Sequence, residues 1–472
     1  MTATDPRVAT PPGALAGGER GWLPVDHARA NRLTYDDDLF LRARRVLGMP
    51  VINQILWRFP GEVATDRIEA FHRGLAASPW NRLAVPGRVP GARPRWVRGV
   101  PSALRVETEP VPDHAVLEWG EGRASVQLDP VLGPTWEMTI ARTVGGETLL
   151  SVVAGHEVCD GGSVLATIIA AAEGDPQRVL PVDGAQVRRR DDLRDALHLG
   201  REALRGLGRV RRSPAPVTDP EVLTSERQAA QPARGGPGAQ PYRPASIAVT
   251  SEAAAWHRIA AEHGGSANTL LIALVVEVLT TARRVPPGAS LKVALPVDTR
   301  GADDLRSNAT TGVSIVVDTD NVDGVGRVQD LARIRARSKE AFAGLAAGTR
   351  VDPLEPLKPL VQLLPDPLVR RLAGGSAVPL CLCSNLGRLP AAFQAPLGVP
   401  ASAVLMRSVT QNVTPDLMRS RRGGITAWWN EHGPDVTLGL LGMDPDHWPD
   451  AATLRQDVAT VYRRWGLEPR FW

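Results

Sequence analysis

The densest chemistry in the chain lies in one stretch, Gly155-His156-Glu157-Val158-Cys159-Asp160-Gly161-Gly162. An imidazole followed four residues later by a carboxylate can serve as a general base while the acid organises the loop. The glycines that follow let the backbone turn and approach a ligand closely. The string also comes within one residue of the His-Glu-x-x-His zinc helix. Its fifth position is Asp160, however, and glycines bracket the segment, so no metal is expected. Cys381 and Cys383 sit one apart in an apolar run with no second cysteine pair, which predicts core packing. The chain has no Gly-x-Ser-x-Gly elbow, Walker lysine loop or strand-linked Gly-x-Gly-x-x-Gly, so serine hydrolase, P-loop and Rossmann readings lose their main support.

The elements that must position this stretch follow from periodicity. Residues 148–154 are rich in β-branched side chains and predict a buried strand that ends at the histidine, and 163–172 predict the helix that starts beyond the glycines. Before them, 50–59 read as a strand, 62–77 as an amphipathic helix, and 103–108, 115–119 and 136–142 as short strands. A helix over 191–210 carries many arginines, read as a solvated face. In the second half, helices are expected over 253–263, 268–283, 328–343 and 451–465. Strands are expected over 291–296, 311–317 and 378–384, with a hairpin of 424–430 and 435–442. Trp428 and Trp429 fall in that hairpin, where neighbours face opposite sides, so at most one can line a cavity. The alternation points to two layered α/β (α+β) domains.

A length of 472 residues and 43% apolar composition allow two or three domains with real cores. The Pro- and Gly-rich segment 213–246 divides the chain into 22–212 and 247–472, and 1–21 reads as a disordered leader. That leader lacks the basic and apolar regions of a secretory signal. The most apolar run, 270–279, is interrupted by Glu277 and falls short of the roughly 20 residues that span a bilayer. Three cysteines cannot form a disulfide framework. A cytoplasmic protein is expected. Its 55 Lys and Arg against 51 Asp and Glu argue against a nucleic-acid partner.

In this order His156-x-x-x-Asp160-Gly161 and several weaker motifs resemble the chloramphenicol-acetyltransferase-like acyltransferases, which include condensation domains, polyketide-associated acyltransferases and wax ester synthases. The weaker motifs are the 51–59 strand and its helix, Asp129-x-x-x-Gly133-Pro134, and His263-Gly264 followed by Asn268. Further on come Pro296-Val297-Asp298-Thr299-Arg300 with Asn308 and Gly312, and Ser384-Asn385-Leu386-Gly387. Gly155 departs from the pattern, standing where the family carries a first histidine. The resemblance implies two similar subdomains in a V-shaped pseudo-dimer with a central tunnel. It implies an acyl thioester donor, on coenzyme A or on a carrier protein's phosphopantetheine, and an alcohol or amine acceptor, with no bound cofactor and a monomeric chain. His156 would be the general base, Asp160 a loop-ordering residue beside Gly161, and Arg300 its partner. The Gly162 amide with Ser384 or Asn385 would face the developing oxyanion. Asn308 and Trp428 would contact substrate. A degenerate domain that only binds a carrier protein, or a same-fold cyclase or eliminase, are the alternatives.

Overall fold

The computed structural model describes residues 31–175, 188–210, 222–224, 242–301, 304, 306–319, 327, 330–349, 355–373 and 378–472. The expected leader over 1–21 and most of the 213–246 segment lie outside them.

The architecture is mixed α/β. One sheet has the order β12-β1-β6-β5-β4, made of Ala403–Thr410 (β12), Val51–Phe59 (β1), Thr148–Gly155 (β6), Trp136–Arg142 (β5) and Leu104–Val106 (β4). β1 and β6 lie inside it and are buried almost throughout, β6 with a mostly apolar sequence and β1 with Asn53 and Gln54 buried among apolar residues. The second sheet has the order β10-β9-β11-β13-β14-β8-β15. Its strands are Thr310–Asp318 (β10), Ser290–Asp298 (β9), Cys381–Arg388 (β11), Ile425–His432 (β13), Asp435–Gly442 (β14), Ala245–Glu252 (β8) and Arg470–Phe471 (β15), and Val222–Leu223 (β7) pairs with β9. Arg82–Val85 (β2) and Arg95–Arg98 (β3) form a separate hairpin.

The first sheet takes one strand from the second half of the chain. β12 lies antiparallel to β1 with Asn53 opposite Ser408 and Gln54 opposite Arg407. Leu389, Phe393, Leu397, Val404 and Met406 pack into the core built on Trp57, Trp80 and Trp136. The two halves are thereby joined by a hydrogen-bonded ladder as well as by side-chain packing.

Of the elements that differ from the sequence reading, three matter most here. Residues 115–119 belong to a helix, Val116–Arg123, and not to a strand; Val116, Leu117 and Gly120 are its buried residues, a spacing of three and four that suits a helical face. The helix Tyr35–Leu47 (α1) and the strand β12 were not predicted. The α1 sequence carried strong signals: a Thr34/Asp37 capping box, three acids in its first turn, Arg44 and Arg45 in its last, and Gly48 in the left-handed conformation at its end. β12 contains Arg407 and Ser408, which break its apolar run, because it pairs with polar residues of β1.

The helix Ala267–Thr281 (α2) is buried on all sides from Thr269 to Leu279. Glu277 within it accepts a hydrogen bond of 2.9 Å from the Trp465 indole, so its carboxylate is tied to a donor inside the core. Among the described residues no single helix is long and apolar enough to cross a membrane; Ala253–Glu262 and α2 pass that test only together, across a bend of 87°.

Candidate active site

His156 follows β6 directly, and its amide extends the β6 ladder by donating to Val51 O at 2.9 Å. The chain then turns, with Val158 N donating to Gly155 O, and enters the helix Gly161–Glu173. Asp160 caps that helix through a 3.0 Å bond from Ser163 N to its Oδ1. The same oxygen lies 2.6 Å from Arg300 Nη1, while Oδ2 accepts from Ala309 N at 2.8 Å and Thr310 Oγ1 at 2.7 Å. Burial acts to raise the Asp160 pKa, but Arg300 and the backbone donors outweigh it and hold the carboxyl below its ordinary value. A carboxylate with every lone-pair direction occupied cannot exchange protons with a substrate, so Asp160 orders the loop.

Arg300 also donates to Ser307 O at 2.8 Å and Arg306 O at 3.0 Å, and Asp160 N donates to Ser307 O. The 306–310 strand start is thus tied to the His156 turn. Arg300 also pairs with Asp298 at 3.1 Å, and Gly162 lies close against both: a Cβ there would sit 2.2 Å from Asp298 Oδ2 and 2.6 Å from Arg300 Nη1. Gly161 and Gly162 open their helix, where amides have no acceptor within the helix and a developing negative charge is favoured.

The imidazole is held on two sides. Its Nδ1 is 3.0 Å from Asn308 Oδ1. Asn308 is 2% exposed, and its Nδ2 donates to Asp37 Oδ1 and to His156 O, both at 2.9 Å. That fixes the amide's orientation, leaves Oδ1 as an acceptor only, and therefore places the proton on Nδ1 and the lone pair on Nε2. Phe40 of α1 stacks on the ring at 3.7 Å between centroids and 18° between planes. Burial pushes the imidazole below its ordinary 6.5, against the pull of Asp160 and the Asn308 bond. The ring is therefore neutral at physiological pH, the form a general base needs.

Asp37 and Phe40 were missed because α1 was missed. Asp37 is 1% exposed, and its other oxygen accepts from Thr34 N at 2.8 Å in the capping box. Asn308 lines the cavity, but its polar atoms are committed to His156 and Asp37, which makes it a positioning residue. Replacing it with alanine is expected to lower kcat about tenfold to a hundredfold with KM nearly unchanged, since the ring loses its fixed orientation. The Asn308 bond favours the protonated ring, so the acid limb of the pH profile, already below 6.5 in the native protein, moves lower still in this variant. Steady-state kinetics across pH would check both.

His156 opens onto a cavity of about 500 Å³ lined from both halves of the chain, among others by Phe40, Gly162, Val297, Leu386 and Trp428. Ser384 lines it as well. Asn385 does not: it donates to Asn268 Oδ1 at 3.1 Å and accepts from Gly387 N at 2.8 Å, pinning its turn away from the cavity, which removes it from the oxyanion candidates. Trp428 lines the cavity while Trp429, 2% exposed, packs in the core near Trp256, as strand alternation requires. Gly155 is not part of the cavity wall; a Cβ there would lie 2.5 Å from Glu157 Oε2, whose partner oxygen is paired with Arg44 at 2.7 Å. Cys381 and Cys383 are both buried, with their sulfurs 4.0 Å apart.

A second cavity, of about 450 Å³, shares Arg407, Thr410 and Leu441 with the first, so the two adjoin.

No family model matches the chain, and no curated protein matches it in sequence. Solved structures do match in fold. The first condensation domain of the calcium-dependent antibiotic synthetase, solved with a substrate analogue, superposes at a TM-score of 0.56 and 16% identity, over 92% of this chain and 96% of that one. The wax ester synthase/diacylglycerol acyltransferase from Marinobacter aquaeolei VT8 gives 0.52 and 16%, over 92% and 100%. Polyketide synthase associated protein 5 from Mycobacterium tuberculosis gives 0.50 and 14%, over 93% and 99%. The chain has the fold of the chloramphenicol-acetyltransferase-like condensation proteins.

Proposed function

We propose that this protein is an acyltransferase that joins an acyl thioester to an alcohol or amine, with His156 as general base. One observation carries the reading: a neutral imidazole, its Nδ1 proton committed to Asn308, sits at a cavity built from both halves of the chain. The acceptor's oxygen or nitrogen attacks the thioester carbonyl as Nε2 takes its proton. The carbon–sulfur bond then breaks, and the imidazolium returns that proton to the departing thiolate. The enzyme is restored and no acyl-enzyme forms. The oxyanion formed in between would be met by the Gly162 amide and the Ser384 hydroxyl, preorganised donors of the kind worth about 3 to 4 kcal/mol each.

The two adjoining cavities suit entry of donor and acceptor from opposite sides. Coenzyme A or a carrier protein's phosphopantetheine would present the acyl group, and the folds that superpose on this one, a condensation domain among them, support a role in natural-product assembly. Gly155 lies off the cavity wall, and Glu157 Oε2 takes up the space a Cβ would need there.

Mass spectrometry of mixtures containing acyl-coenzyme A or acyl-pantetheine thioesters, with and without an alcohol or amine, tests the reaction type. The expected product has the mass of acyl group plus acceptor, with release of one thiol. Products that form equally well without a nucleophile, by cyclisation or loss of water, would replace transfer with one of those reactions.

A further inference from the structure

The junction of the two cavities holds a buried cation that the transfer chemistry does not use. Arg407 is 5% exposed and lines both cavities. Its Nε donates to Gln54 Oε1 at 2.9 Å and its Nη1 to Ser246 Oγ at 2.5 Å, both neutral groups, and Nη2 has no partner. Among the described residues no carboxylate forms an ion pair with it. A buried guanidinium held only by neutral acceptors, with three of its five N–H donors left over, is costly unless a ligand supplies the missing charge. Burial lowers its pKa to about 10, and Glu121 is the one acid that opposes the shift.

The neighbours narrow what that ligand can be. Glu121 and Arg243 line the second cavity with Arg407. Gln411, on the same wall and 6% exposed, uses Nε2 on two backbone carbonyls at 2.8 Å and leaves Oε1 unpartnered. Arg407 and Arg243 against Glu121 leave one net positive charge here, which suits a monoanion better than a phosphate dianion. On the His156 side the wall next to Arg407 is largely apolar, with Met406, Leu441, Met443 and Trp428.

We propose that Arg407 is the anion-binding residue of a substrate subsite at this junction. It takes a carboxylate carried by an otherwise apolar substrate whose body lies toward Trp428 and His156. That the ligand is a substrate rests on the transfer reading above; the anion site stands on the geometry of Arg407 alone, and its test involves no turnover.

Calorimetric titration of the full chain near neutral pH with octanoate, octanamide and octyl phosphate reads the site directly. Octanoate is expected to bind at least about tenfold more tightly than octanamide, the range for a charge-assisted hydrogen bond out of water, and more tightly than octyl phosphate. In Arg407→Gln octanoate falls to the level of octanamide, in Arg407→Lys part of the difference survives, and in His156→Ala it is unchanged. Equal binding of octanoate and octanamide to the native protein overturns the proposal without any variant having to fold. So does a difference that persists in Arg407→Gln, which would leave Arg407 as a tie between β12, β1 and β8. Tighter binding of octyl phosphate would overturn the carboxylate assignment.

Discussion

Exchanging His156 for alanine is expected to cut product formation by about a thousandfold or more. A positioned general base contributes roughly 10² to 10⁴ in rate, and the other carboxylates lining the cavity are engaged elsewhere, Asp36 with Lys358 and Asp298 with Arg300. Asp160 is saturated by Arg300, Ser163, Ala309 and Thr310. The loss must be separated from unfolding, because the ring also stacks on Phe40 and donates to Asn308. Leaving Asn308 Oδ1 without its donor costs about 1 to 3 kcal/mol, which a folded domain of this size tolerates. A variant with native far-UV circular dichroism and cooperative unfolding, yet no product, supports the assignment. A folded variant with unchanged product formation removes His156 from the mechanism.

Arg300→Ala should instead act on the fold around the site. Its guanidinium and Asp160 are 10% and 3% exposed in their side chains, and removing one partner of a buried pair costs about 3 to 5 kcal/mol because the other charge stays buried alone. The pH dependence gives the sign. In the native protein the folded Asp160 pKa lies below the unfolded value of 3.8, so the carboxylate's contribution is present above that value and fades as pH falls through the folded pKa. Without Arg300 the folded pKa rises, because burial then acts against fewer opposing groups, so the variant's carboxyl takes up its proton at a higher pH than the native one does. The stability deficit measured by denaturant unfolding is therefore expected to shrink on acidification, and Arg300→Lys to fall between the two. A deficit that does not vary with pH would mean that Arg300 acts through its bonds to Ser307 and Arg306 and not through its charge.

The local part of this site was legible in the chain. A β-branched run, His156, a capping Asp160 and glycines before an apolar helix are short-range signals, and strand, turn and helix formed where they indicated. Arg300 could be named from its motif, and the 2.6 Å contact places it on Asp160. Residues 115–119 went astray because so short a segment, apolar except for Glu118, fits a strand or one turn of helix equally well, and packing of Val116 and Leu117 decided the matter. α1 was legible in principle from its caps, but its polar composition hid it from a search for apolar periodicity.

By itself, then, the sequence determined the catalytic candidate, the helix cap that shapes its loop and the mixed α/β class, all of which depend on residues close together in the chain. The tertiary structure decided what reaches that histidine from far away: Phe40 and Asp37 from the first half of the chain and Asn308 from the second, Trp428 rather than Trp429 at the cavity, and Asn385 turned away from it. It also placed Arg407 opposite Gln54 by lending β12 to the first sheet. Periodicity specifies which face of an element is buried but not which distant element covers it, and the cavity walls are made of those pairings.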